Sequence, residues 1–197
     1  SADRKQLKPG QSVTLSWDNK LGLKFERVYE LDDGYMVTVT QRVINTSNKS
    51  QTIFPYGLIA RSGTPDTLGF YILHEGPLGV FDGTLQEYDY DDLQETRKVE
   101  LSSVGGWIGI TDKYWLAALV PDQLENFTYR FVHSMHDKDD RYQVDYLGQE
   151  SVVSPGKTIE ITNRLFAGAK EVKRLDFYSD QFGIKNFDLA VDFGWFY

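Results

Sequence analysis

Apolar and polar residues alternate along most of this chain, which is the pattern of strands with one buried face. The predicted strands cover residues 13–17, 21–31, 35–43, 51–61, 107–110, 114–121, 126–135, 141–148 and 157–166. Asp32-Asp33-Gly34 is a hairpin signal between the second and third of them, since Gly tolerates the positive φ of a tight turn. Short strands separated by turn signals favour an antiparallel sandwich over a parallel α/β sheet.

Four segments depart from simple alternation. The run 114–121 has no polar alternation, so we expect a central strand covered on both faces, which Pro121 ends. Segments 62–69 and 74–83 are rich in Gly, Pro and Asp, and we interpret them as loops around short strands. The acidic segment 88–95 is interpreted as a solvated loop or edge.

Only one segment has convincing helical spacing. Apolar residues three and four positions apart predict a helix over 170–182, with Gly183 as its C-terminal stop. These apolar residues are Val172, Leu175, Tyr178 and Phe182. A helix of about three turns is marginal alone in water, so it must pack on the sheet.

The last residues alternate again and predict an extended strand over 187–197. Its apolar positions are Phe187, Leu189, Val191, Phe193, Trp195 and Tyr197. The closing Trp195-Phe196-Tyr197 is typical of places where apolar surface meets water, such as a membrane surface or a partner's groove. We therefore expect a domain cut from a larger protein, with any targeting element removed or upstream of Ser1.

Length and charge exclude several classes of function. A chain of 197 residues suits one domain, and it contains no Cys, so disulfides and thiolate metal sites are excluded. A net charge of −8 argues against nucleic acid as a partner and against broad electrostatic docking on anionic lipid. The sequence has no run of about 18 apolar residues that could span a bilayer.

The best metal candidate is a cluster around two histidines. Its residues are His133, His136, Asp137, Asp139 and Asp140. Strand residues three apart point to opposite faces, so the histidines converge only if the chain turns between them. Zinc or a similar ion is thus one interpretation, and a polar hairpin tip is the favoured one.

Other candidate chemistry fails on spacing. Asp188 and Asp192 would share a strand face about 13 Å apart, too far for a glycosidase pair, so we interpret them as solvent-facing. Gly105-Gly106 lacks the Lys-Ser/Thr of a phosphate-binding loop. We expect no catalytic residue, metal or cofactor, and a chain that is not an enzyme.

Three blocks of sequence, in matching order and spacing, carry a family resemblance. They are Gly-Gly-Trp-Ile-Gly-Ile at 105–110 running into 114–121, then 165–170, and finally Leu-Ala-Val-Asp-Phe-Gly-Trp-Phe at 189–196. Together they resemble the large periplasmic domain of the bacterial membrane protein insertase YidC. The motif residues of the first block are Gly105, Gly106, Trp107, Tyr114, Trp115 and Pro121.

The resemblance implies a mainly β fold, a β-supersandwich similar to galactose mutarotase, with a short C-terminal helix and an extended tail. It implies a single periplasmic domain over 1–197, with the sandwich body at 1–166. Residues 167–197 would then form the helix and strand that lead to a membrane-interface helix. The domain would lie at the periplasmic face of the inner membrane, between the first two transmembrane helices.

The resemblance also implies an auxiliary function, because insertase activity in the family resides in the transmembrane core. The domain would assist insertion and folding of inner-membrane proteins by docking Sec translocon components such as SecD and SecF, through residues around 69–98. It would also position the transmembrane core and hold segments of nascent membrane proteins. The residues expected to couple it to the membrane are Val172, Leu175, Tyr178, Phe182, Asp188, Asp192, Trp195, Phe196 and Tyr197.

A carbohydrate-binding or mutarotase-like protein of the same fold class is the alternative. A mutarotase needs a His and a carboxylate facing each other across the sugar. The available histidines are His74, His133 and His136.

Overall fold

A computed structural model describes residues 1–67 and 73–192 of the chain. Within these residues the elements follow in chain order. They are β1 (Ser12–Asp18), β2 (Leu23–Leu31), β3 (Met36–Asn45), β4 (Gln51–Ile53), β5 (Tyr56–Ser62), β6 (Gly76–Phe81), β7 (Thr84–Glu87), α1 (Tyr90–Thr96), β8 (Lys98–Val104), β9 (Trp107–Thr111), β10 (Trp115–Val120), β11 (Asn126–His136), β12 (Asp139–Gly148), β13 (Ser151–Val153), β14 (Thr158–Ala169), α2 (Val172–Phe182) and a 3₁₀ helix (Phe187–Ala190). The predicted mainly β fold is confirmed.

The strands form antiparallel sheets. The large sheet has eight strands in the order β1-β2-β3-β14-β10-β9-β6-β7. A second sheet has the order β5-β12-β11-β8, and β13 pairs with β4 in a small third one. Because β14 joins β3 to β10, residues from both ends of the chain lie side by side in the large sheet.

The middle of the large sheet is covered on both faces. On one face, Ile108 and Leu119 share a buried core with Tyr129 and Phe131 of the second sheet. On the other, a second core forms between the sheet and the helical C-terminal region. Its members include Trp107, Leu116, Phe166, Leu175, Tyr178 and Phe187. The prediction that β10 is a central strand between layers is therefore confirmed.

Strands β1, β2 and β3 extend beyond the second sheet. Val13 is the buried apolar residue of β1, and β2 has no fully buried residue. One face of this half of the sheet is therefore open, and it forms the floor of the cleft described below.

The predicted helix is confirmed as α2. Leu175 and Tyr178 are its buried residues, and they face the sheet. Gly183 follows the last turn at φ 65°, in the left-handed region that Gly adopts without steric cost.

The acidic segment 88–95 is not a loop or edge: it contains helix α1. Tyr90 and Leu93 are three residues apart and both buried, so they form a short apolar stripe. Asp91 and Asp92 occupy the first turn, where negative charge is favourable at a helix N-terminus. The acidic residues that indicated a solvated segment thus belong to the outer face of a helix.

The single strand expected over 51–61 is two strands in different sheets. Pro55 lies between them and has no N–H to donate to a ladder. As a result, β4 pairs with β13 and β5 pairs with β12. Within 74–83, interpreted as loops around short strands, the structure has the fully buried strand β6.

The strand predicted from residue 187 is also wrong over its first part. Phe187–Ala190 is a 3₁₀ helix, entered through Asn186 at φ 53°. Phe187 and Ala190 are three residues apart and both buried, so the spacing of three decided the structure rather than the alternation. Phe193, Trp195, Phe196 and Tyr197 lie outside the described residues.

Candidate functional site

An open cleft of about 680 Å³ lies on the exposed face of β1–β3. Its far wall is the connection from β4 to β5, with Phe54 and Tyr56. Trp17 and Phe25 stack on its floor with ring centroids 5.3 Å apart. Trp17 is 63% exposed and Phe54 53%, so large aromatic surface faces solvent here.

Strand register places these side chains in two rows. Trp17 is paired with Phe25, and Phe25 with Val43. In the neighbouring row, Leu15 is paired with Arg27, Arg27 with Gln41, and Gln41 with Ile161. Directly paired residues of antiparallel strands point to the same face, so four strands contribute to one surface.

The cleft continues into a smaller hollow of about 350 Å³ that shares Arg27, Gln41 and Tyr56 with it. Asn163 on β14 lines this inner end and is only 3% exposed. Its Oδ1 and Nδ2 have no hydrogen-bond partner, which is uncommon for a buried amide. Tyr146 lines the same hollow, and burial raises the pKa of its hydroxyl.

The charged side chains of the cleft differ in whether they have an ion-pair partner. Within residues 1–67 and 73–192, no carboxylate lies at ion-pair distance from Arg27. Glu26 lines the outer cleft, but its carboxylate pairs with Lys24 at 2.7 Å. The cleft therefore offers aromatic surface, the unpaired Arg27 and one buried amide in a chain whose net charge is −8.

Sequence reasoning missed this site, although a signal for it existed. Arg27, Gln41 and Asn163 each occupy a position of β2, β3 or β14 that alternation assigns to the apolar face. A polar residue at such a position on three adjacent strands marks a place where the face is not packed as core.

The three histidines lie away from the cleft. His133 is buried and its Nε2 lies 2.7 Å from Asp140 Oδ1, a contact that holds the pKa of this carboxyl below its usual value. His136 is exposed beside Asp137 at the tip of the β11–β12 hairpin. His74 contacts the carbonyl of Pro77 through its ring. His136 and Asp137 thus lie at a polar hairpin tip, as interpreted, whereas His133 is buried within β11. No group of three metal-ligating side chains occurs in the described part of the chain.

The Gly105-Gly106 pair determines the backbone conformation immediately before β9. Both residues have positive φ, 63° and 89°. A Cβ at Gly105 would collide with the carbonyl oxygen of Gln123, and one at Gly106 with that of Val80. These glycines let β9 approach its neighbours so closely that Trp107 is fully buried.

Comparison with known proteins decides the family. The family model described as YidC periplasmic domain matches residues 1–197. The chain belongs to this family. The membrane protein insertase YidC of Rickettsia bellii is 43% identical over 198 residues, covering all of this chain and 35% of that protein. The corresponding protein of Methylorubrum extorquens is 44% identical over 206 residues, covering all of this chain and 33% of its own length. The chain thus spans about a third of these relatives.

Solved structures support the fold. A galactose mutarotase related enzyme from Lactobacillus acidophilus matches with a TM-score of 0.55 and 10% identity, over 85% of this chain and 70% of its own. A galactose mutarotase-like protein from Lactobacillus casei matches with a TM-score of 0.56 and 13% identity, over 81% and 71%. The fold of this YidC periplasmic domain is therefore the galactose-mutarotase type.

The motif residues of this YidC periplasmic domain do not gather at one site. Trp107 and Pro121 are buried, and Trp107 packs edge-on against Phe187 at 5.4 Å. Tyr114 and Trp115 are instead 64% and 58% exposed, at the turn between β9 and β10. Part of the motif therefore belongs to the core and part to the surface.

The expected membrane-coupling residues are also divided between the buried core and less buried positions. Val172 and Phe182 are half-buried at the two ends of α2, around the buried Leu175 and Tyr178. Asp188 and Asp192 do not share a strand face, which corrects the sequence interpretation. Asp188 lies in the 3₁₀ helix, and Asp192 Oδ2 accepts a hydrogen bond from the His74 N–H at 3.3 Å.

Trp195, Phe196 and Tyr197 lie outside the described residues, so their place relative to α2 stays a prediction. No helix within residues 1–67 and 73–192 has the length and apolar character to cross a bilayer.

Proposed function

We propose that this chain is a non-catalytic interaction module of a membrane protein insertase at the periplasmic face of the inner membrane. It assists insertion and folding of inner-membrane proteins by docking partners and by positioning the transmembrane core. The observation that carries the proposal is the make-up of the cleft. It has exposed aromatic rings, an unpaired cation and an unpartnered amide, while the described residues that line it include no His.

Docking of Sec translocon subunits, SecD or SecF, is assigned to the region around 69–98. Helix α1 supports this assignment, because Asp91, Asp92 and Glu95 are exposed on it while Tyr90 and Leu93 hold it to the core. An exposed acidic face on a buried anchor suits a partner with a basic surface.

Pull-down of SecF by the full-length insertase tests the assignment. Charge reversal of Asp91 and Glu95 to Lys makes the outer face of α1 net positive, with Asp92 as its remaining acid, and leaves Tyr90 and Leu93 in place. We expect at least a tenfold loss of captured SecF. Reversal of Glu125 and Glu150, two exposed acids elsewhere, is the matched control. Equal capture by both variants would contradict docking through α1.

Coupling to the membrane is assigned to α2 and the residues after it. Its support is mechanical: Leu175 and Tyr178 bury one side of the helix in the core, so a displacement of the C-terminal segment reaches the sheet directly. Removing residues 170–197 from the full-length insertase should impair membrane-protein insertion more than reversing the charges of α1. The opposite order in an insertion assay would contradict this assignment.

The alternative function is carbohydrate binding or a mutarotase-like activity. The fold favours it, but fold alone carries little functional weight. His74, His133 and His136 are all outside the cleft lining, so the His–carboxylate pair across a sugar lacks its His. Calorimetric titration with galactose and glucose, on the wild type and on a His-to-Ala variant at each position, distinguishes the two functions. Binding that depends on one of these histidines would favour the alternative.

A further inference from the structure

We propose that the tip of the β9–β10 hairpin, residues 113–115, inserts its aromatic side chains into the headgroup region of the lipid bilayer. The inference deepens the proposed function, on which it rests for the position of the domain at the periplasmic face of the inner membrane. Its support comes from the chemistry of this hairpin tip, from the paired acid at its base and from its place in the domain.

The hairpin tip presents two large aromatic side chains to solvent. Tyr114 is 64% exposed and Trp115 is 58% exposed, and the Lys113 ammonium lies 5.1 Å from the centroid of the Tyr114 ring. Trp and Tyr each combine an apolar ring with one polar group, and both are enriched where a membrane meets water. A Lys beside them can extend its ammonium to the headgroups while its methylene chain stays on apolar surface. The hairpin tip therefore has the composition of an interfacial anchor.

The base of the hairpin fixes the tip and offsets the charge of an acid. The Asp112 N–H donates a hydrogen bond to the Trp115 carbonyl at 2.8 Å, which leaves Lys113 and Tyr114 as the two loop residues. The Asp112 carboxylate is held by the Arg61 guanidinium at 2.6 and 2.8 Å, so it does not face lipid phosphates as an unpaired negative charge. The tip thus differs from the chain as a whole, whose net charge of −8 argues against broad electrostatic docking on anionic lipid.

The hairpin tip lies at the same end of the domain as Asp192, the last described residue. Asp192 Oδ2 accepts a hydrogen bond from the His74 N–H at 3.3 Å. Oε1 of the next residue, Glu75, accepts one from the Lys113 N–H at 3.1 Å. The sequence continues beyond Asp192 as Phe-Gly-Trp-Phe-Tyr, which is again aromatic.

The start of α2 also lies beside the hairpin tip. Lys170, two residues before α2 begins, donates its N–H to the Tyr114 carbonyl at 2.9 Å. Trp115 is paired with Ala169, the last residue of β14. The proposed function assigns membrane coupling to α2 and the residues after it. Both ends of that segment, as far as it is described, therefore meet at the hairpin tip, which places the tip on the side of the domain that this assignment turns toward the bilayer.

Quenching by a nitroxide on the lipid tests the contact in the full-length insertase. The domain contains no Cys, so Tyr114→Cys carries a bimane label at a single position once any Cys elsewhere in the insertase is replaced. The labelled protein is reconstituted in vesicles of phosphatidylethanolamine and phosphatidylglycerol, with or without a nitroxide on the acyl chain close to the headgroup. We expect at least twofold quenching at position 114. Leu124→Cys, at an exposed apolar residue in the loop at the other end of β10, is the matched control and should not be quenched.

Changes at Trp115 distinguish the effect of the native side chain from that of the label. In the labelled Tyr114→Cys protein, Trp115→Ser should reduce the quenching at least threefold, whereas Trp115→Tyr keeps an amphipathic ring and should retain at least half of it. Trp115 is exposed, so both variants should unfold at the same urea concentration, which a structural role would not allow. Equal quenching in the Ser and Tyr variants would overturn the part of Trp115.

Other results overturn the proposal as a whole. Absence of quenching at position 114, or equal quenching at positions 114 and 124, would contradict a specific contact between the hairpin tip and the bilayer. Blue-shifted bimane emission at position 114 without quenching would assign the tip to a protein surface, which also overturns it. The SecF pull-down and the removal of residues 170–197 use other variants. If both give the results expected above while position 114 is not quenched, this inference alone is wrong.

Discussion

The hydroxyl of Tyr178 on α2 donates a hydrogen bond to Asp32 Oδ2 at 2.5 Å, across 146 positions of sequence. The same hydroxyl accepts a hydrogen bond from the Tyr35 N–H at 3.2 Å. Asp32 Oδ1 in turn accepts hydrogen bonds from the N–H groups of Gly34 and Met36. The turn between β2 and β3 is therefore built around a residue of the C-terminal helix.

Tyr178→Phe tests the contribution of this hydroxyl. The variant keeps the buried ring and loses the bond to a carboxylate, so the free energy of unfolding should fall by about 1.5–3 kcal/mol. Urea denaturation measures the change. Tyr114→Phe removes a hydroxyl from a ring that is 64% exposed and should change it by less than about 0.5 kcal/mol. Equal effects would mean that the contact does not stabilise α2.

Phe187→Ala tests the 3₁₀ helix that replaces the expected strand. Phe187 is fully buried, with its ring centroid 5.4 Å from that of Trp107 and 5.6 Å from that of Phe166. The cavity left by the truncation should cost about 3–5 kcal/mol of unfolding free energy. Phe177→Ala is the control, because Phe177 is 56% exposed on α2. If both variants lose the same stability, Phe187 is not part of the core.

Gly106→Ala, compared with Gly83→Ala, distinguishes a steric clash with a neighbouring strand from the strain of a left-handed backbone. Gly106 has φ 89°, and a Cβ there would meet the carbonyl oxygen of Val80. Gly83 has φ 80° with nothing within 4 Å of the position of a Cβ. Gly83→Ala should therefore cost about 1 kcal/mol from the left-handed backbone alone, and Gly106→Ala about 3 kcal/mol. Thermal or urea unfolding measures both, and equal losses would contradict the packing role of the Gly-Gly pair.

The ion pair between Arg61 and Asp112 predicts a dependence of stability on pH. Two hydrogen bonds of 2.6 and 2.8 Å join the guanidinium to the carboxylate, and they hold the pKa of Asp112 below its ordinary value of 3.8. A carboxyl whose pKa is lowered by folding stabilises the fold above that ordinary value, and this contribution is lost as the pH falls through the folded pKa.

Asp112→Asn removes this contribution. The difference in unfolding free energy between wild type and variant should be largest above about pH 5 and should shrink below about pH 3. Asp33→Asn, at an exposed carboxyl, is the control and should give a difference that is small at every pH. A difference for Asp112→Asn that stays constant between these limits would contradict the ion pair as its cause.

Local patterns were sufficient for most of the sheet and for α2. The alternation over β1 and β3 and the unbroken apolar run of β10 each follow from how one strand is buried. Spacings of three and four, closed by Gly183, were enough to locate α2. These features depend on neighbours in sequence, so the sequence contains them.

The remaining features depend on partners distant in sequence. Helix α1 is short and acidic, and its helical state follows from two residues, Tyr90 and Leu93, that reach the core. The cleft depends on the register that sets Leu15, Arg27, Gln41 and Ile161 in one row. Strands β1, β2 and β3 follow one another through short connections, but Ile161 on β14 is far from them in the chain. No local pattern gives the register of β14 against β3, so the polar positions indicated an unpacked face without locating the cleft.

Photo-crosslinking in the full-length insertase tests the docking account most directly. A photoreactive residue is introduced at Asp91 on α1, at Trp17 in the cleft, or at the exposed control position Glu150. The account predicts a Sec subunit crosslinked from position 91, a membrane protein undergoing insertion from position 17, and neither from position 150. Crosslinks absent at positions 17 and 91, or equal at all three positions, would contradict it.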